Sequence, residues 1–218
     1  MQKLTIVAGL AGVSLLALTA TGSAADFRRA AAPVPPPAAI AAYNWNGVYF
    51  GINGGWGWGE SDWEGVAFDT DGGLIGGTVG VNWRMGTWVV GLEGDLDWAN
   101  IEGSVDSPEV LKSHTDWLGT ARVRAGMPMG NFLFFGTAGL AAGGVTGTVE
   151  GPGGGDAKET HVGWTAGLGV EVALTGAITA KGEWLYYDLG GKTHTWPGGT
   201  IDLAETGNLF RLGLNWRM

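Results

Sequence analysis

Glu93, Asp95 and Asp97 stand at alternate positions in one stretch of this chain, and Arg122 and Arg124 do the same in a later one. Glu171, Lys181, Glu183 and Arg211 follow in similar company, each between apolar neighbours. Three kinds of chemistry use such a set. Paired carboxylates are the apparatus of glycoside hydrolysis, rings of charge select ions in a pore, and balanced acids and bases withdrawn from water make a salt-bridged plug. Five acids against four bases is close to balance, which favours the third. Three histidines, His114, His161 and His194, are the other candidates for catalysis, metal or haem. No serine stands near His161 or His194, and Ser113 faces away from His114 if both lie on a strand. All three read as plain residues at external loop ends, and no cofactor or metal site is expected.

What must position the charges is a set of eight stretches with period two. The last shows it most plainly: Phe210, Leu212, Leu214, Trp216 and Met218 share one face, and Arg211, Gly213, Asn215 and Arg217 the other. Successive strand side chains point to opposite faces. Strands are expected near 46–59, 74–84, 87–99, 115–127, 131–144, 160–174, 177–188 and 207–218. Most exceed the 9–11 or so residues that a tilted strand needs to cross a bilayer, whereas soluble strands average about 5–6. The charged faces carry glycine (Gly51, Gly55, Gly57, Gly76, Gly80, Gly163, Gly167, Gly169), leaving room for long side chains and permitting strong coiling. The apolar faces end in tryptophan. Trp83, Trp88 and Trp216 would form a periplasmic girdle, and Trp58, Trp98, Trp117, Trp164 and Trp184 an external one, because indole prefers the membrane interface. Apolar outside and charged inside is the pattern of a membrane β-barrel. Eight strands enclose a space that side chains just fill. In this register Arg122 and Arg124 lie beside Glu93, Asp95 and Asp97, so cross-strand pairing is natural.

The connections alternate in length. Short turns are expected at Arg84–Gly86, Pro128–Gly130 and Thr175–Gly176, and long acidic, Gly-rich external loops at about 60–73, 100–114, 145–159 and 189–206. Ahead of the strands, Lys3, the uncharged run from Leu4 to Ala20 and the small residues around Ala24 read as a cleaved Sec signal over 1–25. Residues 26–44, with Pro33, Pro35, Pro36 and Pro37, read as an extended periplasmic linker, and 45–218 as the barrel. The chain has 42 Gly, 12 Trp, no Cys and a formal charge of −9. Absent cysteine removes disulfides, thiol catalysis and thiolate metal sites. The acidic balance argues against a nucleic-acid partner. Gly191-Lys192-Thr193 imitates the end of a phosphate loop, but Tyr186 occupies the place of its first glycine.

The segment Tyr43-Asn44-Trp45-Asn46-Gly47-Val48-Tyr49-Phe50-Gly51 resembles the opening of the alphaproteobacterial outer-membrane immunogenic proteins, small opacity-type barrels. Gly163 to Glu171, Lys181 to Gly190 and the closing Phe210 to Met218 resemble their sixth, seventh and last strands. The resemblance implies an eight-stranded antiparallel transmembrane barrel without enzymatic activity, set in outer-membrane lipids, inserted by the barrel-assembly machinery and exposed to a host or surface ligand. Members of that family usually end in Phe, as part of the assembly signal. Here Trp216 and Met218 stand in that role, with Met218 still in the outward phase. The rival readings are a narrow channel, a lipid-modifying enzyme using His161 or His114, and a soluble β-sandwich. Oligomeric state is left open.

Overall fold

The computed structural model describes residues 43–63, 66–107, 109–150, 155–196 and 199–218. The expected signal peptide and all but the last two residues of the expected linker lie outside them. Eight strands follow in order: β1 (Gly47–Trp63), β2 (Val66–Met85), β3 (Trp88–Ser107), β4 (Glu109–Met129), β5 (Phe132–Glu150), β6 (Gly155–Ala173), β7 (Ile178–Trp196) and β8 (Gly199–Arg217). Each pairs antiparallel with its neighbours in sequence, and β8 closes on β1, so the sheet has no edge. Closure satisfies the strand ladders internally, as a lipid setting demands.

The stagger follows from the register. From Phe50 the directly opposed residues run through Val79, Gly94, Ala121, Leu140, Trp164, Asp188 and Thr206, and return to β1 at Glu60, ten residues above the start. For eight strands such a stagger corresponds to a tilt of about 40°. Val48, Phe50, Ile52, Val79, Leu92, Leu96, Val123, Leu140, Leu168 and Leu212 stand exposed around the outside. In water such a surface would drive aggregation; against acyl chains it is the matching solvent. Trp88 and Trp98 lie ten residues apart on the outer face of β3. At about 3.3 Å per residue and about 40° of tilt, they are roughly 25 Å apart along the barrel axis, the height of an outer-membrane apolar band. Trp83 and Trp216 stand near the lower level, and Trp58, Trp117 and Trp164 near the upper. Trp184 departs from expectation. It lies four residues below Asp188, the partner of Trp164, and so sits under the upper belt.

The strands also run further than their apolar pattern. The expected long loops at 60–73, 100–114, 145–159 and 189–206 are instead largely strand, joined by much shorter connections. Above the lipid no apolar face is required, so the period-two signal fades while the hydrogen-bonded ladder continues. At the other end the turns are short. Gly86 and Gly130 take φ of +65° and +63° in two-residue hairpins, a conformation that costs glycine nothing.

Candidate functional site

All nine charged residues singled out from the sequence are buried inside the barrel. Three cross-strand pairs are charge-complementary by register alone: Glu93 opposite Arg122, Glu171 opposite Lys181, and Glu183 opposite Arg211. The side chains reach further than those pairings. Arg122 meets Glu93 at 2.5 Å, Asp95 at 2.8 Å and Glu183 at 3.1 Å. Arg124 bonds Glu171 at 2.6 Å and Glu93 at 3.1 Å. Lys181 turns from Glu171 towards Glu93 at 2.9 Å and Glu183 at 3.1 Å. Arg211 joins Asp97 at 2.6 Å, Glu183 at 2.8 Å and Asp95 at 3.2 Å.

Neutral donors complete the shell. The hydroxyls of Thr120 and Thr78 donate to Asp95 at 2.6 and 2.9 Å, and Thr179 and Asn215 donate to Glu171 at 2.5 and 3.2 Å. The Tyr49 hydroxyl donates to Glu93 at 2.6 Å and accepts from Arg124 at 2.9 Å. Phe135 lies under the Arg124 guanidinium, 4.2 Å from its carbon. Glu93, Asp95 and Glu183 could together offer three oxygens to a metal ion. Arg122, Lys181 and Arg211 already place cationic groups against those oxygens, so the cluster is neutralised from within. The same contacts remove it from hydrolysis, because every acid of the set is bonded and closed off from water.

The interior glycines make room for these side chains. A Cβ on Gly80 would run into the Tyr49 ring. Gly80→Val is therefore expected to destabilise the barrel by about 1–3 kcal/mol, as overpacked cores do. The check is the urea midpoint of the refolded protein in detergent. An unchanged midpoint would mean that Tyr49 does not occupy that space.

Sequence reasoning missed what lies above and below the charges. Towards the external end Phe68, Leu74, Ile101, Leu118, Val145, Leu185, Tyr187, Leu189 and Leu209 form an apolar cluster inside the barrel. At the periplasmic end Trp45, Val89, Leu133, Phe135 and Ala173 form another, with Tyr43 packed on Trp45 at 4.8 Å. Arg217 bonds the Trp45 carbonyl there. The alternation held the signal, since Leu185 and Leu209 share the inward phase of Glu183 and Arg211. Ile101 keeps the inward phase of Asp97 but lies past residue 99, in the stretch expected to be a loop.

His114 and His194 lie on strands where loops were expected, and His161 lies on β6, within the strand expected at 160–174. His161, on β6, is fully buried, with Nδ1 3.4 Å from the Gly190 carbonyl oxygen. His114, on β4, stands half-open between Glu102 at 3.3 Å and Asp116 at 3.1 Å, and Lys158 pairs with Asp116 at 2.5 Å. His194 belongs to the β7–β8 ladder opposite Ile201. Ser113 is buried on the opposite face from His114, which separates the one Ser–His neighbour pair.

A closed eight-stranded sheet with an apolar outside and ion pairs within defines an outer-membrane β-barrel. The chain matches the family described as outer membrane protein beta-barrel domain over residues 13–217, and it belongs to that family. It is 30% identical over 210 residues to a 25 kDa outer-membrane immunogenic protein of Brucella melitensis, covering 95% of this chain and 96% of that one. It is 34% identical to a 22 kDa outer membrane protein of Rhizobium leguminosarum bv. viciae, over 84% of this chain and 80% of that one. Among solved structures it resembles the outer membrane protein OprG of Pseudomonas aeruginosa, with a TM-score of 0.56, 14% identity, and coverage of 83% and 99%. That last likeness concerns the fold alone.

Proposed function

We propose that this protein is a structural surface component of the outer membrane. It supports the integrity of the envelope and displays an acidic, Gly-rich external face as a surface antigen. The observation that carries the reading is the packing of the lumen, with an apolar plug at each end of a dense ion-pair layer. The related immunogenic proteins of Brucella agree with surface display. In this reading the protein is exported through Sec, and the barrel-assembly machinery inserts it. Trp216 and Met218 serve as its closing signal: Met218 is 81% exposed beside the β1–β8 seam, and its N–H donates to the Val48 carbonyl at 3.0 Å.

A solute channel would need a path through all three layers, each of which is built of buried side chains. A lipid-modifying enzyme would need a histidine open to the lipid with a nucleophile beside it. His161 is shut inside and His114 is engaged with carboxylates. Two measurements on one preparation test the proposal. In SDS the unheated protein is expected to migrate faster than the boiled one, as a closed barrel does. In planar bilayers it is expected to give no resolved conductance steps. Reproducible steps that vanish with Arg122 and Arg124 replaced would overturn the structural reading in favour of the channel.

A further inference from the structure

Every neighbouring strand pair but one is joined by a chain connection at one of its ends. β1 and β8 are the exception and meet only along their ladder, whose periplasmic end sets Tyr49 against Arg217. Just before β1, the residues Tyr43–Asn46 are held at three separate points of the barrel's base. The Asn46 side-chain oxygen accepts the Arg84 backbone N–H at 2.6 Å, near the end of β2. The Trp45 carbonyl accepts from the Arg217 guanidinium at the end of β8. The Tyr43 hydroxyl donates to the Gly176 carbonyl at 3.3 Å, in the connection between β6 and β7. Asn44 bends the segment: its side-chain oxygen accepts the Asn46 backbone N–H at 3.2 Å and the Asn46 amide at 2.9 Å, as in an Asx turn. Three rings gather round one cation. The Arg217 guanidinium carbon lies 5.3 Å from the Tyr49 ring centre, 5.4 Å from that of Trp45 and 5.9 Å from that of Tyr43. Each ring attracts it through its quadrupole.

We propose that Tyr43–Asn46 is a clasp that locks the base of the β1–β8 seam, with Arg217 as its catch. Strand ends are where a folded sheet opens first, and a seam without a hairpin at either end is the weakest place to open. The clasp covers that place. Trp45 and Arg217 stand 172 positions apart, so their contact forms only once the last strand has met the first. The ladder has by then closed the long loop, and the clasp adds its contacts without paying that entropy again. Arginine suits the catch, because its planar head stacks on rings while its edge still donates, and an ammonium offers no such plane. Arg217 also stands 3.7 Å from Glu171 on β6, which ties the clasp to the bottom of the ion-pair layer. Leu133 fills the same apolar plug from β5, a strand remote from the seam, and so separates plug packing from the clasp.

The test is hydrogen–deuterium exchange, read by mass spectrometry, on the folded protein extracted from outer membranes in detergent. Trp45→Ala and Arg217→Met are each expected to speed exchange about tenfold in peptides covering Val48–Gly54 and Leu212–Met218. Peptides covering Gly119–Gly126 and Phe134–Ala141, on the far side of the barrel, are expected to keep the wild-type rate. The double variant is expected to do no more than either single one, because either change opens the clasp. Leu133→Ala is expected to leave the seam peptides at the wild-type rate. Tyr43→Phe removes one hydrogen bond and is expected to speed the seam peptides about threefold. It decides the matter if the larger variants lose the heat-dependent mobility shift and so do not fold. Unchanged seam exchange in folded Trp45→Ala overturns the proposal, as does an unchanged Tyr43→Phe where the larger variants fail. Equal acceleration of the seam in Leu133→Ala overturns it too, because plug packing alone would then hold the seam. So does a double variant whose effect is the product of the two single ones, since Trp45 and Arg217 would then act independently.

Discussion

Arg122→Met is expected to lower the stability of the folded barrel by about 3–5 kcal/mol, the usual cost of removing one partner from a buried ion pair. Arg122 touches three carboxylates, those of Glu93, Asp95 and Glu183. Without it Lys181, Arg211 and Arg124 would be the three cations left to face five acids, Glu93, Asp95, Asp97, Glu171 and Glu183. The plugs above and below keep water from compensating the excess. Protonation of one acid offers partial relief, so the loss is expected to be larger at pH 8 than at pH 5. Equilibrium urea unfolding in phospholipid vesicles measures it. A loss below about 1 kcal/mol at pH 8 would mean that water reaches the layer, and the filled lumen would be wrong. Arg122→Lys keeps the charge but not the fork that spans three carboxylates, and is expected to fall between the two.

Leu92→Arg probes the other surface. Leu92 is 51% exposed on the outer face of β3, four residues above Trp88 and six below Trp98. An arginine near the middle of the apolar band costs about 2–4 kcal/mol. The expected result is little or no folded protein in the outer-membrane fraction, with the chain accumulating as a heat-insensitive band. Normal recovery of folded Leu92→Arg would falsify the assignment of this face to lipid. The two substitutions differ in kind. The lumen variant should insert and then unfold early, whereas the lipid-face variant should fail at insertion.

Much of this architecture was legible in the chain because two solvents meet on one strand. Period-two alternation sorts residues into faces, and lipid outside with ion pairs inside gives the faces opposite chemistry. Arg122 and Arg124 could be set on the strand beside Glu93, Asp95 and Asp97, though not residue against residue. Tertiary reach could not. Lys181 lies opposite Glu171, yet its ammonium reaches Glu93 on a strand across the lumen. Ile101 was lost because it lies past residue 99, in a stretch read as loop, although it keeps the inward phase of Asp97. The length of the external strands was lost for a different reason. Gly, Thr and Asp dominate there, and nothing in their pattern separates a solvated ladder from a loop. Trp184 was assigned to a belt by residue type, while its height is set by how far along a tilted strand it sits.

Nine residues of β3 rise beyond Trp98 to Ser107, and nine of β6 lie between Gly155 and Trp164. At the strand rise and tilt given above, this sheet extends roughly 20 Å beyond the bilayer surface. If this face is displayed as a surface antigen, as proposed, an antibody approaching the cell would meet a pleated wall. It touches every second residue of several strands at once and almost never a run of consecutive ones. Epitopes on this face are discontinuous by construction. On that proposal linear peptides cut from 60–73 or 100–114 are expected to be poor mimics of them, and the folded barrel is expected to preserve them.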